Sequence, residues 1–371
     1  MERQKKNRII NTIYWIFMAV WSIACIAVIA VFLDYFYCFL KDYQQVYDET
    51  RPKLKMEEIF VEFDEGDVDW ILEHANPITV SEFESEEVLK QYVSNYMEGK
   101  KVSYQVKTGE HIEERPVYVV LLDDTPFAIV RLEKKDEAAE YGHPLWQLRE
   151  VEINVVPSIK RTITAPENAT VCVNGIQLTE DYVIEVNTEN ENSFYYENFS
   201  DVVTLPGYKT YYVENLLVEP VVEAKNFLGE PMEAEYETAK KTYHFDFGMS
   251  ETVRQEVEEY LIQFTKDYAM CISNDLSFST LDKYFPKDSE ILKGIKGGSS
   301  NWFDEHKKPE IMNEHLKELV LYTENAFSAR VYLEQYMYVP FSGRIQQLIT
   351  DVNVYYVKLD GEWKVAGIVF E

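Results

Sequence analysis

Tyr355–Phe370, YYVKLDGEWKVAGIVF, holds two apolar runs that alternate about Asp360-Gly361. Asp-Gly between alternating apolar residues is a strong type I′ hairpin signal, because both turn positions need positive φ. The chain therefore ends in an antiparallel hairpin, Gln346–Leu359 and Trp363–Phe370. Working outward, Leu316–Thr323 and Ala326–Tyr338 continue the two-residue period and predict two further strands. Ahead of them the period changes. Ser250 caps a helix over Glu251–Ser273 whose apolar face, Val253, Val257, Tyr260, Leu261, Phe264, Tyr268 and Ile272, steps by threes and fours. A short helix at Phe278–Phe285 stops at Pro286, and another beginning at Asp288 is broken by Gly297-Gly298-Ser299-Ser300. Helices followed by an antiparallel meander make this segment α+β.

The same order occurs earlier in the chain. Lys53–Phe63 and Asp67–His74 read as helices, and Ser85-Glu86-Glu87 opens a third with apolar face Val88, Leu89, Tyr92, Val93 and Tyr96, ended at Gly99. Strands follow at Lys101–Thr108, Arg115–Leu122, Pro126–Glu133 and Trp146–Val155, with Asp123-Asp124-Thr125 as a tight turn. A tryptophan opens the last strand in both segments, Trp146 and Trp363. We expect a duplicated fold flanking residues 157–245, which have no helical period. There, Arg161–Ala165, Val171–Leu178 around Asn174-Gly175, Asp201–Leu205, Tyr211–Leu217 and Tyr236–Phe245 read as the strands of a small all-β module. Its acidic, asparagine-rich stretch Glu189–Asn198 reads as a solvated loop.

At the other end, Ile9–Leu33, IINTIYWIFMAVWSIACIAVIAVFL, has no charged residue. At about 1.5 Å per residue it makes a helix of about 37 Å, enough to cross a hydrocarbon core of about 30 Å. The core is too long for a cleaved signal peptide, and its small-x-small sites lie inside the apolar run. Arg3, Lys5, Lys6 and Arg8 precede it, which predicts a cytoplasmic N-terminus and an extracytoplasmic bulk. Tyr35, Phe36, Tyr37 and Phe39 fit an interfacial aromatic belt. The stalk then carries a helical stripe, Phe36, Leu40, Tyr43 and Tyr47, as far as Pro52. The expected layout is a basic tail (1–8), a transmembrane helix (9–33), a juxtamembrane stalk (34–52), an α+β domain (53–156), an all-β domain (157–245) and a second α+β domain (246–371).

The net charge is −29, with the basic tail on the other side of the span. Such a surface repels phosphates and argues against nucleic acid, while favouring cations and basic partners. With 4 cysteines, two of them (Cys25 and Cys38) in or beside the span, this is no disulfide scaffold.

The C-terminal segment, with its long first helix, meander and closing hairpin, resembles an NTF2-like (cystatin-like) domain, in which a sheet wraps around helices as a half-open cone. The whole chain resembles a group of single-pass envelope proteins of Gram-positive, clostridia-like bacteria, through the anchor, ITAPENATVCVNG in the β module, and SSNWF and DGEWKV near the end. The layout is also similar to the teicoplanin-resistance-associated membrane proteins and to anchored NTF2-like components of conjugation channels. With only Met1–Arg8 ahead of the span, the cytoplasmic zinc ribbon of the former is not expected. The resemblance implies two NTF2-like domains around a β insert, partners among envelope proteins, and possible homo-oligomers.

Enzymes on the NTF2-like fold place acids, bases and phenols deep in the cone. The candidates for such positions here are Tyr268, Tyr284, Asp304, His306, Tyr322 and Tyr332, though with 27 tyrosines half-buried structural rings are the competing reading. Trp302 and Phe303, after the Gly-Gly-Ser-Ser break, form either a ligand-gripping rim with Tyr268 and Tyr322 or a plug that closes the core. The 6 histidines show no i, i+4 pair, so zinc has no support. Asp64, Asp67 and Asp69 are a calcium candidate, set against a solvated loop between helices, and the EF-hand ligand pattern is missing. No phosphate loop, nucleophile elbow or H-E-x-x-H is present, and nothing calls for a cofactor. The expectation is an anchored binding or scaffold protein and no enzyme. A conjugation- or secretion-channel subunit and an NTF2-like lyase or isomerase are the alternatives.

Overall fold

A computed structural model describes residues 2–298 and 303–370. It forms two compact units: residues up to Val80 with Ser85–Pro157, and Ser81–Glu84 with Ser158–Glu371.

In the first unit, α1 (Glu2–Glu49) runs unbroken from the basic tail through the apolar span into the stalk. Its most apolar 18 residues have a mean hydropathy of 2.8 and none of them is buried, so by length and composition it can cross a membrane. Pro52 opens α2 (Pro52–Glu65), where its missing N–H costs nothing, and Gly66 closes that helix in the left-handed region. Asp67 caps α3 (Val68–His74) by accepting from the Trp70 amide at 2.9 Å. Ser85 stands at the N-cap of α4 (Glu86–Met97), but its side chain makes no cap bond. Strands β1 (Val102–Val106), β2 (Val117–Leu122), β3 (Thr125–Ala138) and β4 (Pro144–Ile153) pair in chain order as an antiparallel meander. The β2–β3 turn has Asp123 and Asp124 both at positive φ, as the sequence implies. Met56, Ile59, Phe63, Ile71, Val93 and Met97 bury the helices' inner faces, and Phe63 and Tyr96 both meet Phe127 of β3.

The second unit begins with two sheets. One contains β5 (Ile159–Pro166), β8 (Val183–Asn187), β9 (Tyr208–Leu216), β11 (Ala234–Glu237) and β12 (Thr242–Phe245) in the order β11-β12-β5-β9-β8, and only the β12–β5 pair is parallel. The other contains β6 (Thr170–Val173), β7 (Ile176–Gln177) and β10 (Val222–Lys225) in the order β10-β6-β7, with Asn174-Gly175 in the expected positive-φ turn. Ser81–Glu84 completes this module. Phe83 joins its apolar core, and the Glu84 carboxylate accepts from the amides of Leu217, at 2.9 Å, and Val218, at 3.0 Å.

The chain closes with α5 (Glu251–Ile272), a 3₁₀ segment (Phe278–Tyr284), α6 (Glu290–Gly297) and a second antiparallel meander. That sheet is β13 (Glu310–Thr323), β14 (Ala326–Val339), β15 (Arg344–Leu359) and β16 (Glu362–Phe370), again in chain order. The Ser250 hydroxyl accepts from the Val253 amide at the start of α5. Helices followed by a four-strand meander thus occur at both ends of the folded chain, as the sequence implies.

Two expectations for the β module are corrected. Asp201–Leu205 forms no strand; Val203 and Leu205 are buried without ladder partners. Glu189–Asn198 is not a solvated loop. Glu191–Phe199 winds as a 3₁₀ helix and straps the sheet β13–β16 on the face opposite α5. Three aromatic rings within this polar stretch, Tyr195, Tyr196 and Phe199, supply the reason. Tyr196 is 2% exposed and donates to the Phe327 carbonyl at 2.9 Å, and Tyr195 stacks on Tyr355 with centroids 3.8 Å apart. Tyr195 also lies over Gly367, the cross-strand partner of Tyr355 on the edge strand, where a bare glycine leaves room for a ring.

Candidate functional site

Alternation along β13–β16 gives the sheet two buried faces. Leu319, Leu321, Phe327, Val331, Val354 and Tyr356 point toward α5, while Val320, Tyr322, Ala326, Tyr355 and Val357 point toward the strap.

The space between α5 and the sheet is filled. Phe264, Tyr284, Phe327 and Tyr356 meet there, with Phe264 and Tyr284 centroids 5.0 Å apart and Phe327 and Tyr356 4.9 Å apart. Asp267 enters this layer from α5 and is 6% exposed. Its carboxylate accepts from Tyr284 Oη at 2.8 Å and Gln263 Nε2 at 2.7 Å and pairs with Lys283 at 3.1 Å, so its lone pairs are committed to structure. Burial, reinforced by the Asp267 charge, pushes the Cys271 thiol up to about 11, and this keeps it protonated and unreactive at neutral pH. Burial also raises the phenols: Tyr268 to about 12, and Tyr284 and Tyr356 further. Asp267 was missed in the sequence. Its signal was an acid three residues after Phe264 and one before Tyr268, inside the apolar stripe of α5.

The sequence candidates do not converge. Tyr268 sits on α5, with its ring 5.8 Å from that of Phe370. Tyr322 lies on the other face of the sheet and shares a 3.0 Å hydrogen bond with Ser328. Tyr332 donates to Glu334 at 2.7 Å. Trp302 lies outside the described residues, and Phe303 is half-buried. His306 instead anchors a polar network past the end of α5. Its Nε2 stands 3.0 Å from Asp275 Oδ2 and its Nδ1 2.6 Å from the Asp304 carbonyl; Ser273 donates to Asp275, and Gln335 donates to Ser273 at 2.8 Å. Both ring nitrogens face acceptors, an arrangement that favours the doubly protonated imidazolium.

Two of the three proposed calcium ligands are used elsewhere. Asp67 caps α3, Asp69 pairs with Lys90 at 2.6 Å, and among the described residues no three acidic, histidine or cysteine side chains converge on a metal position.

Among the described residues, open space lies on the strap side of the sheet. A groove of about 430 Å³ is floored by Tyr322, Arg330, Asn353 and Tyr355 and walled by Tyr208 and Phe247. It shares Glu191, Asn192, Tyr208 and Phe247 with a recess of about 800 Å³ behind Asn187–Phe194. Phe247 also lines a third hollow of about 620 Å³ with Met232, His244 and Leu321. Its ring stands 5.4 Å from that of Tyr208 and 5.5 Å from that of Tyr322, both edge-on. Arg330 is held bidentately by Asp351 at 2.9 and 3.0 Å, and Arg330 with Lys317 brings the Asp351 carboxyl down to about 2 against the cost of burial. The remaining formal charges on this lining, Glu191, Asp246 and Glu318, are acidic. Aromatic edges, amides and carboxylates in a wide trough suit recognition of a polar, basic surface.

No protein-family model matches the chain, and no curated protein matches it. Among solved structures it is similar to one described as an "Ntf2 like protein involved in plasmid conjugation", with 8% identity, 82% of this chain and 86% of that chain covered, and a TM-score of 0.24.

Proposed function

We propose that this chain is a membrane-anchored extracytoplasmic binding or scaffold protein of a bacterial envelope. Its two helix-plus-meander layers are NTF2-like, its N-terminus is cytoplasmic, and it acts through protein–protein contact without catalysis. The observation that carries this reading is where the C-terminal layer keeps its space. The interior, where a lyase or isomerase would need a pocket, is packed with Phe264, Tyr284, Phe327 and Tyr356, whereas the opposite face holds the open troughs around Phe247. Their acidic lining, in a chain of net charge −29, supports a partner that presents basic and amide groups and disfavours anionic wall polymers.

The test is in-cell crosslinking of the full-length, N-terminally tagged protein followed by mass spectrometry, repeated with Phe247→Ala and Asn192→Lys. One stoichiometric envelope partner, crosslinked through the trough and reduced by either substitution in a folded protein, is the expected result. Crosslinks joining only copies of this chain favour the channel-subunit reading. A partner captured equally by both variants overturns the trough assignment.

A further inference from the structure

We infer that the turn Ala139–His143, between β3 and β4, is a membrane-contacting element that rests Tyr141 on the lipid headgroup layer beside the span. This inference rests on the reading of α1 as a membrane span. Phe39, Tyr43 and Tyr47 lie four residues apart on one face of α1, and this turn packs against all three. The Tyr141 ring stands 5.5 Å from Phe39 and 5.6 Å from Tyr43, and the His143 ring 4.6 Å from Tyr43 and 5.6 Å from Tyr47. His143 is 8% exposed, so the clasp excludes water from the stalk. Tyr141 adopts φ 60°, ψ 12°, a left-handed conformation uncommon for a bulky residue, and Gly142 follows at φ 77°. These two residues reverse the chain and turn the ring toward the helix.

Helix geometry then sets the depth. Phe39 and Tyr43 lie about 9 and 15 Å beyond Leu33 along the axis at about 1.5 Å per residue. The headgroup region adds about 5–8 Å to each side of the hydrocarbon core. With the span of about 37 Å tilted to fit a core of about 30 Å, those rises shorten to about 7 and 12 Å, so the Phe39 side of the Tyr141 ring reaches the outer edge of the headgroups, and the residue keeps 46% of its surface exposed. Tyr35 and Tyr37 are 72% and 68% exposed just below, so the turn extends an aromatic belt that begins on the helix itself. A phenol ring, apolar in body and hydrogen-bonding at its tip, is suited to that layer. The neighbouring Glu137 and Glu140 select zwitterionic over anionic lipid.

Nitroxide labels on the full-length protein in zwitterionic phospholipid nanodiscs test this, in a Cys25→Ser/Cys38→Ser background. The labels sit at Glu140→Cys, beside an intact Tyr141, at Asp124→Cys, at the far end of β3, and at Ala27→Cys, inside the span. The oxygen-to-nickel-chelate accessibility ratio is expected to be highest at position 27, severalfold lower but still lipid-like at 140, and aqueous at 124. Adding Tyr141→Ser is expected to bring position 140 to the aqueous value while position 27 stays unchanged. A lipid-embedded position 27 with positions 140 and 124 equally aqueous overturns the docked turn. An aqueous position 27 overturns the span on which it rests.

Discussion

Gly367→Ala is the sharpest test of how the strap is held. A Cβ at this position would stand 2.9 Å from Cδ1 and 3.3 Å from Cβ of Tyr195. Carbon atoms in contact settle at about 3.5–4.0 Å, so the overlap is about half an ångström or more. Gly367 is paired with Tyr355, and the ladder continues through Ile368 on one side and, past a one-residue bulge at Ala366, through Val365 on the other, so the backbone is held on both sides. The ring must move, and it is stacked on Tyr355 at 3.8 Å with its planes 10° apart. Overpacking of this kind costs about 1–3 kcal/mol, and a stacked pair contributes about 0.5–1.5 kcal/mol beyond its buried area. Because a side chain and not backbone gives way, we expect about 1–2 kcal/mol, all of it on strap opening. Amide exchange in residues 191–205, measured by mass spectrometry on the full-length protein in nanodiscs, should accelerate by about 5- to 30-fold, while α5 and β14 stay unchanged. Tyr195→Ala should accelerate it further, and Gly367→Ala added to Tyr195→Ala should cost almost nothing more, a coupling about as large as the Gly367→Ala effect itself. Unchanged strap exchange in Gly367→Ala, or additive effects in the double variant, would refute the packing argument.

Two further outcomes follow from single side chains. Burial disfavours the His306 cation, but the Asp304 carbonyl and the Asp275 carboxylate outweigh it and raise the pKa above its ordinary value of 6.5. The sign is therefore that of a raised group: its contribution is complete below about pH 6.5 and fades as pH rises through the folded-state value. Exchange protection of residues 303–309 should fall on going from mildly acidic to alkaline buffer, and His306→Gln should flatten that profile; a pH-independent wild type would contradict the imidazolium assignment. Glu84→Ala leaves the buried amide of Leu217 and the part-buried amide of Val218 without an acceptor, at about 1–3 kcal/mol for the buried donor, whereas Glu84→Gln keeps one acceptor oxygen. Thermal unfolding should rank wild type above Gln and Gln well above Ala, and equal melting of all three would show that the contact contributes nothing.

The sequence made the periodic parts of this chain legible and hid those that depend on a distant partner. Ala326–Val339 and the closing hairpin follow from two-residue alternation and from turn residues that tolerate positive φ, and Val117–Leu122 from a continuous apolar run, all of them local properties. The strap was hidden because Glu189–Asn198 is dominated by acids and amides. Its rings Tyr195, Tyr196 and Phe199 become structural only where the sheet offers Tyr355 and a bare Gly367, far along the chain. Ser81–Glu84 was hidden for the same reason, since nothing local marks Phe83 as part of the core formed by Ile163 and Val213. The scatter of the proposed site is a different matter. Leu319 and Leu321 are two apart and face α5, so Tyr322 had to face away from it, whereas Tyr268 on the stripe of α5 had to face the sheet. Alternation alone separates those two phenols by the thickness of the sheet. The same parity places Tyr322 beside Phe247 and Tyr355, so the residue that fails as an interior phenol becomes part of the trough floor, on the face that the helix does not cover.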